Sequence, residues 1–575
     1  MVSLSSSSGR TVTPVNDILQ HGLYLFFTNQ FSAAQKYYTD NGQYDVRLNL
    51  LNCFVLVINA ISTHGSADMS SALDYIWNVN SLGSNMSSSW SNTYLHQQQG
   101  NLLQADCHLL AGCIQLIQES YVKAIWNIRK SYKLIQSVHN SLSTYTCNTD
   151  DIDELGRYTD VLGWSQFEYG YVNLLLSLLP AKLLTVVSYI GFNDISGTNG
   201  LLALNKAVKA NCFVSDFAAL MLINYYVNIK SFVGVQTSDD IELAESLITA
   251  GQSRFNNQSV IYLVLYSRLL RCKKQLVPAI DVAKSSLNYC CELPALFVLF
   301  YYQIGWCSFF MLDWGESEQY FNLLLTPTYI DTNSNTIVSP DTISIHNVPG
   351  NIRVSNPPKA AANAFYAYHA GLCCALNQQY TSMNKYLSRV PIYLQKKSNT
   401  KPIELYAKKR TDTLIELYRQ HQYDLTQFHT LTVLLNACEL MYVWNGLTQM
   451  SNDTIQQLYD MLKSEQMKYT DDMNELQAYQ VQFYDAVLCA LLDQPTQSLN
   501  TLIQLDHQLN DQYATLHRYD QYTLLYTMCS YELALQSKNI DPTSDITTYL
   551  KQCNKYDGFL LYNMLQIKIH AVEKQ

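Results

Sequence analysis

A spacing pattern that recurs along the whole chain constrains its fold more than any other feature. A polar turn, often with Asn, Asp or Gln, is followed by an aromatic or aliphatic residue. A small residue comes three positions later, and a large one four positions after that. Segments with this pattern, complete or weakened, are 29–38, 240–248, 276–283, 313–321, 379–387 and 495–502. The small residue lets two helices approach closely and the large one fills the next gap, so the pattern indicates repeated helix pairs.

The spacing is that of the second helix of a tetratricopeptide repeat, whose period is about 34 residues. Ala34 and Ala279 occupy the small position, and Trp314 follows a polar turn. The first helices are degenerate, although Gly22 stands where such a helix needs a small residue. The sequence therefore predicts an all-α protein, an α-solenoid of degenerate tetratricopeptide (TPR-like) helical repeats.

Composition agrees with stacked helices. Charged residues make up 15% of the chain, against about 25% in an average soluble domain. The segment 101–120 carries two adjoining apolar stripes at helical spacing, which is typical of a helix packed on more than one side. The 43 tyrosines fit the same scheme, because Tyr packs between helices while its hydroxyl stays hydrogen-bonded. A concave groove lined by some of these rings is the alternative.

The range 326–358 interrupts the helical pattern, because it is rich in Asn, Ser, Thr, Pro and Gly. It predicts a flexible loop insertion between an N-terminal helical-repeat lobe, 15–325, and a C-terminal one, 359–575. Residues 1–14 predict a disordered tail without the apolar core of a signal peptide. The protein is therefore expected in the cytoplasm, with the nucleus or an organelle or lipid-droplet surface left open.

Two apolar segments, 293–312 and 171–192, are long enough to test as membrane spans. We interpret them as helices buried in the stack, so no transmembrane helix is expected. The net charge of −10 argues against nucleic-acid binding, which needs a concentrated basic face. The 15 scattered cysteines indicate buried thiols in a reducing compartment.

Several motifs resemble the tetratricopeptide repeat protein 39 family, whose fungal relatives are the inclusion-body clearance proteins. The central motif spans 167–204 and includes Gly170, Asn173, Pro180, Gly191, Phe192 and Gly200. Further matches are Gly305-Trp306-Cys307 with Asp313-Trp314, and 439–446, which ends in Trp444-Asn445-Gly446. Gln303 replaces an acidic residue of the family, and 326–358 looks like an insertion.

The resemblance implies a cytoplasmic helical-repeat adaptor linked to lipid homeostasis and the clearance of aggregated protein, without known catalytic residues. From the residues themselves we interpret Asn173 with Pro180 and Gly191-Phe192 as a structural clamp, a ligand contact being the alternative. Gly446 is interpreted as a helix stop and Asn445 as a cap or turn residue.

No catalytic or metal-binding motif stands out. The 12 histidines form no H-E-x-x-H pair, and neither a phosphate-binding glycine loop nor a G-x-S-x-G turn is present. We therefore expect a protein that is not an enzyme and has neither a cofactor nor a metal ion.

One basic cluster stands out in a chain with so little charge. Its members are Lys396, Lys397, Lys401, Lys408, Lys409 and Arg410. It is interpreted either as a solvated helix with cations toward its C-terminal end or as a docking site for an acidic peptide or anionic lipid headgroups. The expected function is a scaffold for unidentified protein partners. The alternative is a peripheral lipid-droplet or membrane-surface protein that docks through this cluster.

Overall fold

The computed structural model describes a chain folded almost entirely into helices. The described residues are 14–63, 66–89, 93–148, 150–179, 192, 195–290, 292, 295–326, 328–331, 336–338, 352–355, 362–394, 401–421, 429–516, 520–555 and 559–573. The predicted all-α solenoid of TPR-like repeats is confirmed. The predicted tail lies outside the described residues, except for Pro14, which begins the first helix.

Before position 326, the described residues form fourteen α-helices of ten or more residues. They are α1 (Pro14–Phe27), α2 (Phe31–Asn41), α3 (Val46–Thr63), α4 (Ser66–Ser88), α5 (Tyr94–Ile117), α6 (Tyr121–Ser143), α7 (Ile152–Ser177), α8 (Gly197–Lys209), α9 (Ser215–Asn224), α10 (Ser238–Arg254), α11 (Val260–Cys272), α12 (Leu276–Ser286), α13 (Ala295–Phe310) and α14 (Trp314–Leu323). A π-helical turn, Tyr225–Lys230, and a last helical turn, Ser231–Val233, continue α9.

The helices after position 358 extend the array. They are α15 (Asn363–Leu376), α16 (Tyr380–Leu387), α17 (Val390–Leu394), α18 (Pro402–His421), α19 (Thr430–Val443), α20 (Asn452–Lys468), α21 (Glu475–Leu491), α22 (Pro495–Leu516), α23 (Asp520–Ile540), α24 (Thr547–Cys553) and α25 (Tyr562–Glu573).

The range 326–358, where the sequence predicts a flexible loop, contains three short strands. They are β1 (Thr328–Asp331), β2 (Thr336–Val338) and β3 (Ile352–Ser355), paired antiparallel in the order β2-β1-β3. Tyr329 is in register with Val338 on one side and with Val354 on the other. Apart from Thr326, the rest of this range lies outside the described residues.

The helical core is continuous on both sides of this sheet. Trp306 stacks on Trp444 with ring centroids 5.8 Å apart, and His369 stacks on Phe321 at 3.8 Å. These contacts join helices from the two sides of the insertion into one buried aromatic cluster. The division into two lobes at 326–358 stays a prediction. Among the described residues, one hydrophobic core includes side chains from before and after this range.

A recurrent turn explains why polar residues mark the helix pairs. One turn residue adopts the left-handed backbone conformation, at Asn29, Glu119, Lys274, Leu312, Gln378 and Asp493. The N–H of the next residue then donates to the carbonyl five positions earlier, for example Gln30 to Leu25 at 3.0 Å and Asp313 to Ser308 at 2.9 Å. This geometry satisfies carbonyls left free at the end of the first helix.

The helices of a pair touch through a small residue on the first and a large one on the second, sixteen positions later. A Cβ atom at Gly22 would lie 3.0 Å from the ring of Tyr38. The same spacing and close contact relate Gly112 to Ile128, Gly305 to Phe321 and Gly371 to Leu387. Ala34 and Ala279 are fully buried. The pair α5–α6 therefore carries the repeat as well, which the sequence analysis did not identify.

Asn173 and its neighbours hold α7 against α8. Asn173 Nδ2 donates to the carbonyl of Tyr169 at 2.9 Å, and its Oδ1 accepts from the N–H of Ser196 at 3.3 Å. Phe192 is buried against Tyr132. Pro180 and Gly191, the other members of the predicted clamp, lie outside the described residues. The observed bonds tie the chain before α8 to α7.

We expect Gly170→Ala to lower the free energy of unfolding by about 1–3 kcal/mol. A Cβ atom there would lie 2.8 Å from the carbonyl oxygen of Gly200 and the backbone nitrogen of Leu204, so two helix backbones have to move apart. Gly156→Ala on the same helix is the matched control, because its Cβ meets nothing within 4 Å. The control is expected to gain about 0.5–1 kcal/mol. Equal effects in urea unfolding would contradict this packing.

The prediction for Gly446 is wrong, because Asn445 ends the helix. Asn445 has a left-handed φ of 56°, and its Nδ2 donates to the carbonyl of Ser231 at 2.6 Å. Gly446 has an ordinary φ of −74°. Glycine is required there because a Cβ atom would lie 2.1 Å from the ring of Phe310.

Within the apolar segment 293–312, Ala295–Phe310 form helix α13, in which Phe300, Ile304 and Phe309 are fully inaccessible. Among the described residues, no helix combines the length and the apolar character needed to cross a membrane. The segment 171–192 lies partly outside the described residues.

Candidate partner-binding surfaces

A shallow groove lies between the first helix pair and the middle of the chain. It is lined by Ile18, Gln20, His21, Tyr24, Tyr37, Arg254 and Phe255. His21 and Tyr24 occupy one face of α1, and the ring of His21 meets the ring of Tyr37 edge-on at 4.8 Å. The groove therefore presents aromatic rings, an imidazole and a guanidinium side by side.

Asn29 places α1 and α2 against a segment more than 200 positions away in sequence. Its Nδ2 donates to the carbonyl of Gln258 at 2.6 Å, and its Oδ1 accepts from the N–H of Val260 at 2.9 Å. Beneath these bonds Phe27 stacks on Phe255 at 4.6 Å. In a simple solenoid each repeat contacts only its neighbours, so this contact across the chain is what creates the groove.

The cation of the groove is fixed by a buried acid. Arg254 Nη1 pairs with Asp216 Oδ2 at 2.6 Å while its side chain remains 48% exposed. Asp216 also accepts from the hydroxyl of Tyr262 at 3.1 Å. Burial, followed by the charge of Asp216, raises the pKa of Tyr262 far above its ordinary value. The ion pair with Asp216 thus fixes the guanidinium of Arg254 in the groove, where it can bind a partner. The hydroxyl of Tyr262 keeps its proton.

The predicted basic cluster is only partly a surface. Lys401 and Lys409 are exposed, but Lys409 pairs with Asp520 at 3.4 Å and Lys408 with Asp412 at 2.6 Å. Lys396 and Lys397 lie outside the described residues. The positive charge available to a partner is therefore smaller than the sequence indicates.

Including Arg410 in a docking surface is wrong, because its side chain is 1% exposed. Its Nε and Nη2 donate to the two carboxylate oxygens of Glu439 at 2.8 and 3.0 Å, and Tyr406 donates to the same carboxylate at 2.7 Å. Although burial opposes the charged form, Glu439 raises the pKa of Arg410 above its ordinary value. Arg410 is a core residue that joins α18 to α19.

A second buried cluster of polar side chains lies between α5 and α7. Trp164 Nε1 donates to Asp106 Oδ2 at 2.9 Å, and Glu168 lies beside this carboxylate. Burial raises the pKa of Asp106 to about 6. Burial and the neighbouring Asp106 raise the pKa of Glu168 well above its ordinary value. Perturbed carboxyl groups mark many active sites, but these two are 5% and 1% exposed and are closed to a substrate.

The described part of the chain contains no cluster of three or more His, Cys, Asp or Glu side chains placed to hold a metal ion. Trp306 and Trp314 are buried as packing residues. Trp444 is half-buried and packs against Trp306. The groove was missed by the sequence analysis because its lining comes from distant segments. Only the polar turn at Asn29 gave a local signal.

The family described as Iml2/Tetratricopeptide repeat protein 39 matches residues 20–329 and 359–494. The unmatched interval between them covers most of the inserted sheet and loop. Among solved structures, a human IFIT1 dimer with m7Gppp-AAAA is similar, at 10% identity over 85% of this chain and 98% of that chain, with a TM-score of 0.28. Yeast Tom70 is similar at 11% identity over 93% and 99%, with a TM-score of 0.24. Similarity at this level carries no argument about ligands or partners.

Proposed function

The chain belongs to the Iml2/Tetratricopeptide repeat protein 39 family, and from this membership we propose that it is a non-enzymatic scaffold that binds protein partners. The groove between α1, α2 and the end of α10 is the proposed binding site. The observation that carries the proposal is that exposed His21 and Tyr24 share this groove with half-exposed Arg254.

The chemistry of the groove favours a protein segment with acidic and apolar side chains. Tyr and Arg are enriched among the residues that contribute most to protein interfaces. A carboxylate can accept hydrogen bonds from the guanidinium of Arg254 beside its existing pair with Asp216. Apolar side chains of the partner can pack on the rings of Tyr24 and Tyr37.

The family resemblance supports a role for this scaffold in lipid homeostasis or in the clearance of protein inclusions, in the cytoplasm. Docking on lipid droplets through the basic cluster has less support, because Arg410 is buried and Lys408 and Lys409 are paired. We therefore place partner binding in the groove.

Replacing His21 and Tyr24 together with alanine is expected to weaken partner binding by about 30–900-fold, because truncating two central contacts typically costs about 1–2 kcal/mol each. Proximity labelling in cells, with quantification of the captured proteins, measures the change. Tyr44→Ala is the matched control, because Tyr44 is an equally large ring, 66% exposed, outside the groove.

The thermal unfolding of both variants is measured alongside, so that lost binding is not confused with lost folding. Loss of the same proteins by both variants, or by neither, would exclude the groove as the binding site.

A further inference from the structure

The first turns of α6 leave large apolar side chains in solvent. Val122 is 85% exposed, Trp126 58%, Tyr121 52% and Ile125 46%. All four lie on one side of the helix, because Ile125 stands four residues after Tyr121 and Trp126 four residues after Val122. Contiguous exposed apolar groups of this kind mark interaction sites on soluble proteins.

The same helix carries four exposed cations, Lys123, Arg129, Lys130 and Lys133. It contains no acidic residue, and none of the four forms an ion pair with the part of the chain that the structure describes. Lys130 Nζ lies 5.4 Å from the ring of Trp126. Glu119, in the preceding turn, is the nearest acid in sequence. In a protein of net charge −10, four exposed cations on a helix without an acidic residue make this surface locally basic.

The opposite face of α6 is firmly held, so the exposed face is presented by a fixed helix. Asn127 Nδ2 donates to Gln115 Oε1 at 2.8 Å, and Asn127 Oδ1 lies 2.8 Å from His108 Nδ1. Ala124 is fully buried in the pair α5–α6. Of the four exposed apolar side chains, Trp126 also meets the ring of His108 edge-on, with centroids 5.8 Å apart, while more than half of its side chain stays exposed.

We propose that the exposed face of α6 docks on a membrane surface rich in anionic phospholipids. Trp, Tyr and aliphatic side chains insert at the level of the headgroups, and neighbouring Lys and Arg are attracted to negative lipids. The exposed aliphatic side chains favour a lipid surface over a nucleic acid, which offers rings and phosphates but no acyl region. This activity goes beyond the proposed scaffold function, since α6 contributes no residue to the groove.

The sequence points to α18 instead, because its cations are adjacent in the chain. The cations of α6, apart from the adjacent Arg129 and Lys130, are separated by other residues in the sequence. That they lie on one side of the helix becomes clear only when the buried face is known. The two helices thus offer a direct comparison between a basic run and a basic face.

The full chain is tested by co-sedimentation with vesicles of phosphatidylcholine alone and with about 30% phosphatidylserine, a charge density at which basic patches bind. We expect binding to the anionic vesicles only, and loss of that binding at high salt. Ile125→Ser with Trp126→Ser, and separately Lys130→Gln with Lys133→Gln, are each expected to weaken it at least about tenfold. Met467→Ser, at a side chain 73% exposed on α20, and Lys408→Gln with Lys409→Gln on α18 are the matched controls and are expected to bind normally.

Quenching of Trp fluorescence by brominated lipid gives a second measurement. Trp126→Phe keeps an aromatic ring and is expected to retain binding while losing the quenched fraction of the fluorescence. Equal binding to neutral vesicles, or no binding by the wild type, overturns the proposal. The proposal is also overturned if the α18 variant loses vesicle binding while the α6 variants keep it. Loss of an acidic protein partner in the α6 variants without any vesicle binding also overturns it, in favour of a protein interface.

Discussion

Replacing Arg410 with alanine is expected to lower the free energy of unfolding by about 3–5 kcal/mol, because it leaves a buried carboxylate without its counter-ion. Glu439 is 2% exposed and receives two hydrogen bonds from Arg410 and one from Tyr406. After the substitution only the tyrosine hydroxyl still donates to it. Equilibrium urea unfolding measures the loss.

Two comparisons separate this effect from the loss of a surface charge. Lys409→Ala removes a half-exposed cation that pairs with Asp520 at 3.4 Å, and its expected change is within about 1 kcal/mol. Arg410→Met combined with Glu439→Leu removes both charges together and is expected to recover most of the stability lost by Arg410→Ala. If Arg410→Ala lowers the free energy of unfolding by less than about 1 kcal/mol, the buried carboxylate of Glu439 does not need Arg410 as its counter-ion.

The helical spacing of residues in α18 indicates that Arg410 is buried, although the run of adjacent basic residues suggests an exposed surface. Ala407, Arg410 and Leu414 share one stripe of the helix, at spacings of three and four, and all three are buried. Lys408 and Lys409 point away from that stripe. A helical reading of the apolar positions would have placed Arg410 in the core, whereas counting adjacent charges grouped it with its exposed neighbours.

The repeat architecture was predictable because its causes are local. Polar turns, a small residue and a large residue one turn later determine each helix pair, as Ala34 and Tyr38 do. The groove was not predictable, because Asn29 bonds to Gln258 and Val260 across a separation that no spacing rule covers. The same limit applies to Asn445, whose bond to Ser231 ties the second half of the chain to its middle.

Replacing Lys568 with methionine is expected to stabilise the protein by about 2–4 kcal/mol at pH 7, although it removes a side chain that is ordinarily charged at that pH. Lys568 is 3% exposed on α25. Its Nζ donates to the carbonyl of Tyr442 at 3.4 Å and lies 5.1 Å from the ring of Phe232. Burial lowers the pKa of Lys568 to about 7, against the opposing charge of Glu532. Methionine fills a similar volume without this cost.

The pH dependence gives the sign of the effect. Between pH 7 and about 10.5 the unfolded chain holds a proton on this lysine that the folded chain lacks, so the free energy of unfolding rises with pH across that window. The cost of burial is complete below pH 7 and disappears near the pKa of a free lysine. The advantage of Lys568→Met is therefore expected to shrink from pH 7 to pH 10, while Lys551→Met, at an exposed position, changes stability by less than about 0.5 kcal/mol throughout.

At lower pH, the titration of Glu532 changes the free energy of unfolding in the opposite direction. Burial raises the pKa of Glu532, while Gln536 and Tyr442 donate to its carboxylate. The folded chain therefore binds this proton more tightly than the unfolded chain, and stability falls as the pH rises through the acid range. If Lys568→Met instead destabilises the protein at pH 7, then Lys568 is charged in the folded state and its charge is balanced by ionised Glu532. The slope between pH 7 and 10 separates these states, because a charged Lys568 gives no rise in that window.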